Sequence, residues 1–222
     1  MVSREKSSHS LTCETCGNPI GRTVNHQCVE CYLTTNLPSK IKNEEEDWVW
    51  ANNFEPPSQF RKRTKPDEET IALGRAILDF SAKVSENGNS VVLPLDKRSF
   101  EVQLTVEAID KLAVRTGILG GKWLVYRARD EIDSTWLTIA RATFNRTLGS
   151  GAKVSTAEED ETKRHVICIY TRNYLDFDDV KRVRGLLRDM GFTESLCYKP
   201  DIYTYLEIYK GTTKLSPCRF RE

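Results

Sequence analysis

Four cysteines near the start of the chain have a spacing that chemistry can use. Cys13 and Cys16 form one Cys-x2-Cys pair, Cys28 and Cys31 form another, and eleven residues separate them. Each pair can turn back on itself and present two thiolates, and four thiolates complete the tetrahedral shell of a zinc ion. Gly17 suits the tight turn after the first pair. His26 is a further candidate ligand, but four sulfurs already fill the shell and leave no position for substrate. The expected cofactor is therefore a structural zinc in a knuckle over residues 11–33. So short a segment builds no core of its own, and the metal would supply its folding energy. The competing reading is four unrelated reduced thiols. Cys168, Cys197 and Cys218 stand singly, and Cys168 lies in an apolar stretch that reads as core.

Nothing else in the chain has the pattern of catalysis. Gly117-Ile-Leu-Gly-Gly121 lacks the Gly-Lys-Ser/Thr of a phosphate loop and reads as a helix stop leading into a strand. His165 opens a strand without an evident Ser or Cys partner. Asp176, Asp178 and Asp179 stand at a helix start, where carboxylates favour the dipole. The expectation is a binding protein, not an enzyme.

The elements that must position these residues follow from period and punctuation. The 222 residues carry 33 basic and 32 acidic side chains, so any cationic surface must be a local patch. Apolar residues make up 39% and no run is long enough to span a membrane. The polar N-terminus lacks the apolar stretch of a signal peptide. Together with seven cysteines that do not read as a disulfide framework, this gives a cytoplasmic or nuclear expectation. Residues 1–10 read as a disordered tail, 34–47 as a polar linker, and 48–222 as the main domain.

Within that domain 47–54 reads as a strand, and 67–84 as an amphipathic helix with Leu73, Ile77, Phe80 and Val84 on one face. Val91–Leu95 reads as an edge strand broken at Pro94. Thr105 caps a helix that Gly117 closes. Lys122–Arg127 is a strand, Asp133–Leu148 a helix, and Ala152–Thr156 and His165–Thr171 two strands. A helix from Asp176 to Gly191 follows, then strands at Ser195–Lys199 and Tyr203–Tyr209. The expected class is α+β, a curved antiparallel sheet with about three helices on one face, preceded by a small zinc-ribbon-like segment.

Gly120-Gly-Lys-Trp-Leu-Val125, followed by Trp136 on a helix, resembles the cap-binding translation initiation factor family, initiation factor 4E. A second resemblance is closer. Gly121-Lys-Trp-Leu124, Ile139-Ala-Arg-Ala142, Ala152-Lys-Val-Ser155, Val166-Ile-Cys-Ile-Tyr-Thr171 and Tyr198-Lys-Pro-Asp-Ile-Tyr-Thr-Tyr-Leu-Glu-Ile-Tyr209 look like the family named for a basophilic-leukaemia-expressed protein. That family implies a 4E-like fold with no settled activity. The likeness covers about 104–222 well and 48–100 loosely, and is expected to stop short of the cysteines.

Cap binding needs two Trp rings around a cationic methylated guanine, a Glu on the base edge and basic side chains on the phosphates. The segment matching the second stacking Trp, Ile109–Ala113, has neither Trp nor Glu, and the loop matching the first offers only Phe54 and Phe60. Trp48 and Trp50 fall in the strand and read as core or half-buried. The basic half is better kept: Lys122 matches the Arg of the family's Gly-Gly-Arg-Trp, and Lys163 and Arg164 fall in the equivalent basic loop. The expectation is anion affinity without methylguanine selectivity.

Lys153 joins the scattered basic residues, and the run 61–65 is either a solvated loop or a nuclear-import patch. Tyr203, Tyr205 and Tyr209 share one parity of the last strand, a row that either closes a core or stacks bases. Lys199 and Asp201, flanking Pro200, form either a surface pair or part of a ligand site. The ligand-site candidates are thus Lys122, Lys153, Lys163, Arg164, Lys199, Asp201, Tyr203 and Tyr205. The expected partner is single-stranded RNA or a nucleotide. The alternatives are a zinc-bearing protein-interaction adaptor and an enzyme with an unrecognised site.

Overall fold

The computed structural model describes residues 12–18, 27–52, 105–157, 160 and 162–222, together with the backbone of 90–95 and 98–103. The expected tail at 1–10, the helix at 67–84 and the basic run at 61–65 lie outside these residues.

Strands form where small or β-favouring residues alternate with polar ones. They are β1 (Trp48–Asn52), β4 (Gly121–Arg127), β5 (Gly151–Ser155), β6 (His165–Thr171), β7 (Cys197–Pro200) and β8 (Phe220–Arg221). These make one curved, non-closed antiparallel sheet in the order β1-β5-β6-β4-β7-β8. A separate hairpin pairs β2 (Ser90–Leu95) with β3 (Arg98–Gln103). The strand expected to break at Pro94 runs through it, with Pro94 opposite Ser99 on a ribbon whose outer edge needs no amide donor.

Five helices accompany the sheet among the described residues: α1 (Val29–Thr35), α2 (Val106–Thr116), α3 (Arg129–Phe144), α4 (Phe177–Asp189) and α5 (Asp201–Tyr205). Thr105 caps α2 by accepting from the Ala108 amide, and Gly117 closes it at φ 68°. Asp176 caps α4 through the Asp179 amide. The third helix begins at Arg129, four residues ahead of its expected start, because a helical turn with Asp130 and Glu131 needs no side-chain cap there.

One parity of each strand is apolar and meets the helices. Val49, Ala51, Ala152, Val154, Ile167, Ile169, Trp123 and Val125 share a core with Trp136 and Ile139 of α3 and Val183 and Leu187 of α4. The Trp123 indole donates to the Val180 carbonyl at 3.1 Å, which fixes α4 on the sheet. The class is α+β, as the sequence implies.

Two expectations are corrected. Tyr203–Tyr209 is not a strand: Pro200 leads into α5, and Ile202, Tyr203 and Leu206 are buried at helical spacing. The three tyrosines therefore form no row. Cys197 and Cys218, expected to stand singly, are joined by a disulfide. A 21-residue separation hid this pairing, which needs the tail folded back onto β7.

Of the stretch 34–47, expected as a linker, Thr34 and Thr35 end α1 and the rest is seated on the body. Ser39 donates from its amide and hydroxyl to the Asp133 carboxylate at 3.0 and 2.5 Å. Lys42 bridges to Ala157. None of the described helices is long and apolar enough to cross a membrane.

Candidate metal centre and ligand face

The first pair of cysteines sits in a turn and the second at the start of α1. Gly17 takes φ 71° and donates back to the Cys13 carbonyl at 2.8 Å. Cys28 is the N-cap of α1, and its sulfur accepts from the Cys31 amide. The four sulfurs lie within 4.8 Å of one another. A tetrahedral shell with bonds of about 2.3 Å has edges of about 3.8 Å, so the cluster fits a metal with little contraction. Cys16 and Cys28 are already 4.0 Å apart. The Cys28 amide points at the Cys13 sulfur and lowers that thiol to about 6. Cys31 is pushed up to about 12, chiefly by its hydrogen bond with Cys28. Four close cysteines can hold a metal ion.

The knuckle is docked. Glu30 of α1 takes a forked pair of bonds from Arg141 of α3 at 2.8–3.2 Å. Leu33 is fully buried, and the Tyr32 hydroxyl donates to the Trp50 carbonyl at 3.0 Å.

The sheet parity opposite the core carries the second cluster. Reading across it, Trp50 stands beside Lys153, Lys153 beside Cys168, and Tyr170 beside Lys122. Lys122 stands directly opposite Lys199. The Lys153 ammonium lies 3.7 Å from the Trp48 ring centroid and 5.1 Å from that of Trp50. Trp50 stacks on Tyr170 at 6.2 Å and is 41% exposed. Lys122 pairs with Asp201 at 2.6 Å and reaches Thr204 at 3.3 Å.

Lys199 is different. It is 6% exposed, and its amine lies 3.6 Å from the Tyr209 ring centroid. Among the described residues no carboxylate pairs with it. Burial lowers its amine to about 8, and Lys122 adds to the effect. Burial likewise lowers Lys153. Cys168, between them, is raised to about 11 by burial. Like charges directly opposite on a ladder are destabilising, and burying an amine without a counter-ion costs more.

The structure divides the predicted ligand set. Lys122, Lys153, Lys199 and Asp201 come together on this face. Lys163 and Arg164 lie at the other end of β4, in a small cleft with Arg129, Ser155, Asp160 and His165. Arg164 donates there to the Tyr126 carbonyl at 2.9 Å. Four positions of strand put that end about 13 Å from Lys122. Tyr203 is buried in the core, and Tyr205 is exposed on α5. From the sequence, Tyr209 is expected only in a strand row with Tyr203 and Tyr205, Trp48 and Trp50 are expected as core or half-buried, and Tyr170 is not singled out. For the two tryptophans a signal existed: both have the parity opposite Val49 and Ala51.

Residues 4–207 match the sequence model of the basophilic leukemia-expressed protein Bles03 family. The chain belongs to the Bles03 family. The match corrects the expectation that the likeness stops short of the cysteines, since it takes in all four. It also contains every lysine of the aromatic face and ends ahead of Cys218.

Proposed function

We propose that this Bles03-family protein is a non-enzymatic binding module that takes the phosphates and bases of single-stranded RNA, or of a nucleotide, on its aromatic-and-lysine face. On this reading the four cysteines hold a structural zinc, and the scaffold is 4E-like without the cap-stacking tryptophans. The observation that carries it is Lys199, a buried residue whose amine has no carboxylate partner among the described residues and which stands opposite a second lysine. A site with that surplus is completed by an anion. Base stacking has Trp50 at hand, and single-stranded binding couples such rings to cations in this way. The tryptophan faces already meet the Lys153 ammonium, so a cationic methylated guanine would find like charge there. Four sulfurs within 4.8 Å of one another favour zinc, and the thiolates it needs fit a reducing cytoplasm or nucleus.

Titration of the zinc-loaded protein with fluorescent oligouridylate, across salt concentrations, tests the reading. Two to three phosphate contacts predict a log–log salt slope of about −1.4 to −2.1. Lys199→Met and Lys153→Met should each reduce the slope. A cap analogue binding much more tightly than GTP would overturn the selectivity. No binding by RNA or nucleotide at low salt would leave the protein-adaptor reading, with the knuckle as docking surface.

A further inference from the structure

Cys197 lies two residues before Lys199 on β7, so both side chains share the ligand face. Its disulfide partner, Cys218, ends the strap that returns from α5 to β8. Tyr209, in that strap, sets its ring over the Lys199 amine. The bridge thus closes the strap that carries Tyr209 over the Lys199 amine.

Two further observations bear on the bridge itself. The Arg221 guanidinium donates to the Cys218 sulfur at 3.3 Å. A guanidinium there stabilises a thiolate and makes Cys218 the better leaving group. The same chain also gathers four unbridged cysteines within 4.8 Å of one another, an arrangement that binds metal only when reduced. One chain therefore holds a bridge and a reduced cluster together, and the bridge is the element that can change state while the metal keeps the other thiols.

We propose that Cys197–Cys218 is a reversible thiol–disulfide site, opened by glutathione-class thiols, that latches Tyr209 over Lys199 and so sets access to the ligand face. A glutathione thiolate attacks the Cys197 sulfur, forming a mixed disulfide while the Cys197–Cys218 bond breaks. Cys218 leaves as a thiolate facing Arg221. A second glutathione thiolate attacks the glutathione sulfur of the mixed disulfide, releasing Cys197 as a thiolate and glutathione disulfide as product. Two glutathiones are oxidised, one bridge is reduced, and the protons they lose balance those the new thiols take up.

The change is local. Arg219 pairs with Asp110 at 2.7 Å and the Glu222 amide donates to the Leu196 carbonyl, so β8 stays in place when the bridge opens. Ile208 is fully buried and holds the other end of the strap. Between them run short-range turns, such as the bond from Thr212 Oγ1 to the Glu207 carbonyl at 2.8 Å. The consequence for binding rests on the functional reading above; the chemistry of the bridge does not.

The test uses the full zinc-loaded chain in glutathione buffers of varied ratio. Mass spectrometry after alkylation gives the bridged fraction, acylation by N-hydroxysulfosuccinimide acetate gives Lys199 reactivity, and oligouridylate anisotropy gives binding. The bridged fraction should follow the buffer ratio, and Lys199 acylation should rise at least about threefold as the bridge opens, with binding tightening in step. Cys218→Ser should match the opened form in the absence of glutathione, and Arg221→Met should slow opening. A bridge that never forms, or Lys199 reactivity equal in both states, overturns the proposal. The wild-type titration decides this even if Cys218→Ser does not fold. Reactivity that follows the bridge without oligouridylate binding in either state supports the latch and sinks the ligand reading.

Discussion

Tyr32 donates its hydroxyl to the carbonyl of Trp50 across 3.0 Å. The bond joins the four-cysteine knuckle to the strand bearing the exposed tryptophan, because Tyr32 follows Cys31 directly on α1 and Cys28 caps that helix.

Stripping the metal should therefore be felt at the sheet. Chelation is expected to lower the melting temperature and to shift tryptophan emission, with recovery on adding zinc. Tyr32→Phe should cost about 1 kcal/mol and leave Trp50 emission far less responsive to the chelator. Equal responses in the two proteins would show that the coupling takes another route.

Arg184 is buried and donates to three backbone carbonyls, those of Phe192 and Glu194 at 2.7 Å and of Glu222 at 3.2 Å. Arg184→Ala leaves these acceptors without partners and should destabilise by about 3–5 kcal/mol in urea denaturation. Arg184→Lys should recover little, since one amine does not span the three positions.

Two glycines should respond in opposite directions to the same methyl. A Cβ on Gly121 would strike the Tyr198 ring and hydroxyl, which bonds Thr171 at 2.5 Å. Gly121→Ala is expected to lose about 1–3 kcal/mol. Gly185 lies inside α4 with nothing within 4 Å of such a carbon. Gly185→Ala should gain up to about 1 kcal/mol from helix propensity. Chemical denaturation of both variants checks the pair.

Lys199 gives stability a pH signature. Its amine is lowered from 10.5 to about 8, so between those values the unfolded chain holds a proton that the folded chain has released. Stability from this group rises with pH across that window, and below about pH 8 its full cost is present. Lys199→Met should stabilise by about 1 kcal/mol at pH 7, with the difference fading above pH 10. An advantage that is the same at both pH values would contradict the assignment.

Local rules made much of the fold legible. Thr105 and Gly117 mark the ends of α2 because a hydroxyl cap and a left-handed glycine act within one turn. The parity of β4 shows as alternation, whereas β5 and β6 bury residues of both parities. Tyr203–Tyr209 misled because tyrosines at alternate positions mimic a strand, while Ile202, Tyr203 and Leu206 set the helical burial. The cysteine cluster was readable because ligand spacing is local. The aromatic-and-lysine face was legible only as single candidates, Lys122, Lys153, Lys199 and Asp201, since Lys122 meets Lys199, and Lys153 meets Trp48, only through strand register across distant segments. The Cys197–Cys218 bridge was hidden for the same reason.

The order of the sheet has a consequence for biosynthesis. Trp48 and its neighbours leave the ribosome early, yet among the described residues β1 pairs with β5, with Trp48 opposite Ser155. Roughly a hundred residues must be made before that pairing can form, which takes several seconds of synthesis. Two bulky rings meanwhile wait on an unzipped edge, where a chaperone or an early-formed metal knuckle beside them can shield the nascent chain from its neighbours.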